Sequence, residues 1–166
     1  MSLDGFIAGP NGEFDWIVMD PSIDFSALVA EFDTLVMGRK TFEVFRAQGP
    51  GGPATGMKII VFSRILKQSD YPDVTIVNQG AAETIAKLKA APGKDIWLFG
   101  GGALFRSLLE AHLVDTVEVG VMPVLLGQGI PLLLPGQRSP RLHLASSKSL
   151  PSGIVMLSYT LQDRGG

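Results

Sequence analysis

The sequence predicts a three-layer α/β/α domain spanning 1–166, with a mixed, mostly parallel sheet and antiparallel C-terminal strands. Three observations predict it. Short apolar runs at residues 34–37, 58–62, 74–77 and 96–99 alternate with stretches of helical periodicity, which implies parallel strands joined by helices. The end of the chain instead alternates in period two, over residues 116–126, 142–144 and 154–161, with no helical stretch between, which implies an antiparallel edge. No internal repeat, low-complexity tract or composition shift divides the 166 residues, a length that suits one core.

The elements follow in order. The chain opens at Met1-Ser-Leu-Asp-Gly-Phe-Ile-Ala, so either its first strand is very short or its start is trimmed. Gly9-Pro-Asn-Gly12 has loop chemistry, and Phe14, Trp16, Ile17 and Val18 are expected to pack as a flap. Asp24 is placed to cap a helix over 25–32, with Leu28, Val29 and Phe32 on one face. The strand 34–37 ends at Gly38, and a helix is expected over 40–45. Gly49, Pro50, Gly51, Gly52 and Pro53 make 48–56 a loop. A helix over 83–90 is closed by Pro92-Gly93. After the strand 96–99 come three glycines and then Leu104, Phe105, Leu108, Leu109 and Leu113 at helical spacing.

Composition narrows the function classes. Hydrophobic residues make up 46% and charged residues 18%, the balance of a compact globular chain. A net charge of −2 gives no basic field for nucleic acid. The absence of cysteine excludes disulfides and thiolate metal sites, and fits a cytoplasmic location. No apolar run reaches the ~18 residues of a membrane span, and no signal peptide is expected.

The passage from strand 96–99 through Gly100, Gly101 and Gly102 into a helix carries the strongest chemistry. A helix entered through glycines presents bare N–H groups and the positive end of its dipole, which together hold phosphate. Three adjacent glycines exceed the needs of one turn, so a group approaching the backbone closely is favoured over a structural tight turn. Val36-Met-Gly-Arg-Lys-Thr-Phe-Glu43 repeats the grammar, with two cations and a hydroxyl. Cations at a helix start oppose its dipole, which a bound polyanion would explain; the alternative reading is a solvated Arg-Lys pair. Phe62-Ser-Arg64 ends a third strand, where solvation is the default reading. Ligands bind beyond the carboxyl ends of strands in open α/β sheets, although neither GxGxxG nor GxxxxGK[ST] is present.

Met37-Gly-Arg-Lys-Thr-Phe-Glu43, Lys58-Ile-Ile-Val-Phe-Ser63 and Leu98-Phe-Gly-Gly-Gly-Ala-Leu-Phe105 resemble dihydrofolate reductases in order and spacing. Ser2-Leu-Asp-Gly-Phe-Ile-Ala-Gly9, Pro123-Val-Leu-Leu-Gly127 and Gly129-Ile-Pro-Leu132 resemble the C-terminal reductase domain of riboflavin biosynthesis (RibD) and its stand-alone relatives. The resemblance implies a dihydrofolate reductase-like fold, with an eight-stranded mixed sheet, and NADPH as cofactor. It implies that Gly38, Arg39, Lys40 and Thr41 meet the adenosine-side phosphates and that Ser63 and Arg64 lie near the 2′-phosphate. Gly100, Gly101, Gly102, Ala103, Leu104 and Phe105 would cradle the pyrophosphate and nicotinamide ribose, with a cis peptide joining two of the glycines. It further implies a homodimer, for which the apolar stretch 117–134 is the expected self-pairing surface.

Hydride chemistry belongs to the cofactor, so the protein needs chiefly to position the substrate and supply a proton. Trp16 fits the loop tryptophan of dihydrofolate reductases and is expected to line the substrate pocket. Five residues on, where that family has an acid, stands Pro21, bracketed by Asp20 and Asp24. Asp4 matches the riboflavin-type segment and would sit near the nicotinamide. The proton-donor candidates are therefore Asp4 and Asp24, each with a rival role as a cap. Phe99 stands where the riboflavin-type family usually has an acid before the glycines, and that family's lysine upstream of Ser2-Leu-Asp-Gly5 has no counterpart. His112 and His143 lack partner spacing for a metal or triad and are expected to be structural. Tyr159, Met19, Met37 and Met122 are expected to pack.

The leading expectation is an NADPH-dependent reductase of a small pterin- or pyrimidine-like heterocycle, with no nucleic-acid or membrane partner. The first rival is 5-amino-6-(5-phosphoribosylamino)uracil reductase. The second is an NADPH-binding protein without turnover.

Overall fold

The computed structural model describes residues 1–49, 56–138 and 141–161. Residues 50–55 of the expected 48–56 loop lie outside them. In chain order the elements are β1 (Phe6–Ala8), α1 (Phe25–Ala30), β2 (Phe32–Gly38), α2 (Arg39–Ala47), β3 (Lys58–Phe62), a 3-10 turn (Gln68–Asp70), β4 (Thr75–Val77), α3 (Ala81–Ala90), β5 (Asp95–Gly100), α4 (Gly102–Glu110), β6 (Thr116–Val121), β7 (Ile130–Pro131), β8 (Leu142–Ser149) and β9 (Val155–Leu161). They fall into two compact units, Asp24–Leu113 and, from both ends of the chain, Met1–Ile23 with Val114–Gly166.

The unit Asp24–Leu113 is built on a parallel sheet of order β4-β3-β2-β5. Its strands are the continuous apolar runs of the sequence, as expected for strands covered on both faces. Leu35, Met37 and Val61 point to one face and pack with Phe42 of α2 and Ile76 of β4. Val36 and Ile60, one residue out of phase, point to the other face and are 1% exposed. The helices α3 and α4 bring their own buried residues, Ile85 from the first and Leu104, Leu108 and Leu109 from the second. Strand β5 forms an edge of this sheet, and its apolar residues are half-buried. Helix α1 ends at Ala30 rather than at residue 32. Phe32 opens β2 instead, where its ring stacks on Trp97 at 5.2 Å, a sheet contact that helical spacing could not distinguish from a helix face.

The second unit is antiparallel. Strands β6, β9 and β8 form a three-stranded ladder, and β1 pairs with β7. Strand β1 is three residues long. Strand β6 stops at Val121, five residues before the expected end, since Pro123 cannot extend a ladder. Strand β8 continues to Ser149, past the expected 144, because Ser146, Ser147 and Ser149 lack the apolar alternation that marks a half-buried strand. The strands thus make three ladders, and nine strands are described where the resemblance implied eight. Among the described residues no helix is long and apolar enough to cross a membrane, and no group of three metal-ligating side chains is placed to hold an ion.

Candidate functional site

In the unit Asp24–Leu113 the chain steps outward from β2 to β3 to β4 and then returns to lay β5 on the other side of β2. The carboxyl ends of β2 and β5 therefore flank a topological switch point, where open α/β sheets bind ligands. All three sequence-predicted segments of this unit reach that edge of the sheet. Met37 pairs with Gly100 and Gly38 with Phe62, which places Gly38, Ser63 and the glycines 100–102 at one end of three neighbouring strands.

Both helices at the switch point start bare. Gly38 caps α2 and Gly101 caps α4, neither with a side-chain hydrogen bond, and neither helix has an acid in its first turn. Their N–H groups and dipoles remain available to an anion. Gly38 is extended, at φ −82° and ψ 165°, and a Cβ added there would meet no described atom within 4 Å. The fold itself thus makes no demand for glycine at 38. Gly100 has a positive φ of 143° that side chains rarely adopt, and its peptide bond to Gly101 is cis. A Cβ on Gly101 would lie 3.2 Å from Thr41 Oγ1, so Thr41 of α2 closes over the glycines of α4.

The cations are arranged unequally. Arg39 Nη1 bonds Glu43 Oε1 at 2.6 Å, one turn on, which offsets the charge that opposes the α2 dipole. Lys40 and Arg64 are exposed. Ser63, expected to be solvated, is buried at 8% exposure. Its Oγ accepts from the amides of Ile65 at 3.3 Å and Leu66 at 3.1 Å, because a serine at the end of a strand closes the following turn. Asn78, which sequence reasoning passed over, donates from Nδ2 to the carbonyls of Ser63 at 2.7 Å and Leu66 at 2.8 Å. The signal for it was Asn78-Gln-Gly80, turn residues directly after an apolar strand.

The remaining helix residues are divided between core and surface: Gly102 and Leu104 are buried, Phe105 is half-buried and Ala103 is exposed. A groove of about 320 Å³ opens at the opposite, amino-terminal ends of the strands, beside Asp33, Lys58 and Lys94. Its carboxylate is already held by the Lys94 amide and the Thr34 hydroxyl, both at 2.7 Å, and it lies away from the glycine turns.

The candidate acids are all engaged. Asp4 accepts from Ser2 Oγ at 2.7 Å and Gly127 N at 2.7 Å, and from Leu126 N. The Ser2 hydroxyl foremost, then these amides, hold its carboxyl below the usual range, whereas a proton donor needs the opposite shift. Asp24 Oδ1 accepts from Ala27 N at 2.9 Å and so caps α1. Asp20 is 3% exposed and accepts from Ser22 N at 2.8 Å, Ser22 Oγ at 2.5 Å and Ser152 N at 3.1 Å. The Ser152 hydroxyl favours its anion most, though without a well-formed hydrogen bond, and Ser22 follows, so its carboxyl lies far below the ordinary value.

Trp16 is half-buried and donates from Nε1 to Glu13 O at 3.1 Å. The expected packing of its neighbours does not occur: Phe14, Ile17 and Val18 are exposed, and Met19, expected to pack, is 68% exposed. Met37 is fully buried and Tyr159 half-buried. His143 is exposed on β8, and His112 takes a positive φ of 57° just past α4.

The switch-point architecture has counterparts of known sequence and structure. The chain is 34% identical to YyaP of Bacillus subtilis, an uncharacterized protein, over 96% of this chain and 90% of the other. It is 30% identical to YwjB of the same organism over 94% and 91% of the two chains. Among solved structures, a putative riboflavin biosynthesis protein from Shewanella sp. PV-4 superposes with a TM-score of 0.85 at 26% identity, covering 98% of this chain and 96% of that one. A pyrimidine reductase-like protein from Corynebacterium diphtheriae shares the fold with a TM-score of 0.70 at 17% identity, over 98% and 89%. A family model for the RibD C-terminal domain matches residues 1–156, a stretch that takes in both glycine-entered helices and the strands through β8, and the chain belongs to that family.

Proposed function

We propose that this chain is an NADPH-dependent oxidoreductase, pyrimidine reductase-like, that reduces a small pterin- or pyrimidine-like heterocycle. One observation carries the reading: two uncapped helix starts converge on the switch point, and one is entered through Gly38, whose lack of a side chain serves no packing need. Family membership and the likeness to a putative riboflavin biosynthesis protein support it. NADPH, when bound, supplies the hydride. In this reading Gly38, Arg39, Lys40 and Thr41 hold the adenosine-side phosphates, and residues Gly100 to Phe105 hold the pyrophosphate and nicotinamide ribose. Arg64 gives the 2′-phosphate its cationic partner. Trp16 lines the substrate pocket. Self-association through the apolar stretch 117–134, where Leu125 is 69% exposed, completes the proposal. A sedimenting species of only 17.7 kDa would overturn that last part.

A second reading, cofactor binding without turnover, gains from one observation: Asp4, Asp20 and Asp24 are all committed as hydrogen-bond acceptors. Calorimetric titration with NADPH and NADH, followed by NADPH oxidation assays on pterins and on free and ribosyl-phosphorylated aminopyrimidines, separates the readings. NADPH-selective binding with turnover supports the reductase, and oxidation confined to the ribosyl-phosphorylated aminopyrimidine identifies the riboflavin-pathway reaction. Selective binding without turnover supports the second reading. Binding of neither nucleotide refutes both.

A further inference from the structure

The turn that follows β3 is held more firmly than a surface turn needs. Ser63 N donates to Val77 O at 3.0 Å, and Ser63 Oγ accepts from the amides of Ile65 and Leu66. Asn78 closes the other side, one amide nitrogen donating both its hydrogens, to Ser63 O at 2.7 Å and to Leu66 O at 2.8 Å. Both ends of the four-residue turn are thus tied, by hydrogen bonds that alanine and aspartate at position 78 could not make. What the turn displays is left free. Arg64 and Ile65 are exposed, and Arg64 has no ion pair or hydrogen bond among the described residues. An arginine on a fixed turn loses less freedom on meeting an anion than one on a mobile loop, so the clamp strengthens whatever Arg64 recognises.

We propose that Asn78 is a positioning residue for cofactor choice: by clamping the turn that carries Arg64, it sets the preference for NADPH over NADH while touching neither. The inference rests on the NADPH reading above. The 2′-phosphate is the sole chemical difference between the two nucleotides, so a residue acting through Arg64 changes the ratio of their affinities. A residue that merely stabilises the fold changes both affinities together or neither.

The test is a double-mutant cycle on the full chain, with NADPH and NADH titrated into wild type, Asn78→Ala, Arg64→Ala and the double variant. Asn78→Ala is expected to lower the NADPH-to-NADH affinity ratio by about three- to tenfold with NADH affinity unchanged, the effect of one or two weakened hydrogen bonds. Arg64→Ala lowers it by at least about tenfold, and the double variant no further, because the route runs through Arg64. Asn78→Ser, which keeps one donor, falls between and serves if the alanine variant folds poorly. Equal weakening of both nucleotides, an unchanged ratio in a folded variant, or fully additive losses in the double variant would each overturn the role of Asn78 while leaving the NADPH reading intact. Binding of neither nucleotide by wild type would remove that reading and the inference with it.

Discussion

Replacing Gly38 by alanine separates what the fold needs from what a ligand needs. The backbone at 38 is extended, at φ −82°, a conformation open to any residue, and no described atom lies within 4 Å of the added methyl. Alanine is a poorer helix cap than glycine by up to about 1 kcal/mol, and the reduced freedom of the unfolded chain offsets about 0.4–1 kcal/mol of that. The net change is within about 1 kcal/mol, a melting shift of no more than about 2–4 °C for a chain of this size. Binding answers to a different term. If the first amides of α2 hold a phosphate, the methyl stands in its path. Losing one hydrogen bond to a charged group costs about 1.5–3 kcal/mol, or about 10- to 150-fold in affinity. Calorimetric titration of NADPH beside a thermal melt reads both quantities. An affinity within about threefold of wild type, in a variant that melts normally, would refute the phosphate assignment of the α2 start. Gly101→Ala is the weaker experiment, since its methyl would lie 3.2 Å from Thr41 Oγ1 and disturb the fold as well.

The other expectations concern stability. Asp20 has a carboxyl depressed below its ordinary 3.8, so its contribution is complete above that value and is lost as pH falls toward the folded one. Asp20→Asn is therefore expected to flatten the acid limb of stability below about pH 4, read by denaturant titration across pH; an unchanged limb would show that the carboxylate is not ionised and bonded as described. His112 sits at a positive φ of 57° where Leu113 N bonds back to Leu108 O at 3.0 Å, a helix ending that favours glycine, so His112→Gly should raise stability by up to about 1 kcal/mol in a melt. Phe42, 1% exposed and edge-on to Tyr71 at 5.2 Å, anchors α2 to the sheet, and Phe42→Ala should cost about 3–5 kcal/mol in chemical denaturation. A loss under about 1 kcal/mol there would contradict the packing of that face.

The parallel unit was largely legible because its signals are local. Strand β3 spans the residues read as an apolar run, and α2 and α4 begin at the glycines read as their entry points. Elements whose identity depends on distant partners were not legible. Strand β7 is two residues, Ile130 and Pro131, that exist as a strand only because β1 lies beside them. Strand β8 is hidden by its own serines, since its side chains from His143 onward face solvent and its pairing with β9 rests on backbone bonds that carry no sequence pattern. The burial of Ser63 was illegible for the same reason. Solvation is the ordinary fate of a strand-end serine, and nothing in Phe62-Ser-Arg64 announces that Asn78, fifteen residues on, will close the turn from the other side.

The same division separates the two halves of the candidate chemistry. An anion site made of backbone is written in the sequence, because glycine before a helix has few uses and each of them constrains the chain locally. A carboxylic acid has many uses, and which one it serves depends on what donates to it. Asp4 and Asp24 read alike as candidates, with Asp20 beside them, yet each of the three accepts hydrogen bonds from amides, and Asp4 and Asp20 from serine hydroxyls as well. At Asp4 and Asp20 such donors stabilise the anion, which then has little tendency to carry a proton near neutral pH. A reduction carried out by this protein would then draw its proton from a source other than Asp4 or Asp20, water among them. In that case Asp4→Asn leaves any pH dependence of NADPH oxidation unchanged while disturbing the turn at Leu126 and Gly127. Loss of a titrating limb in that variant would instead return Asp4 to the role of acid.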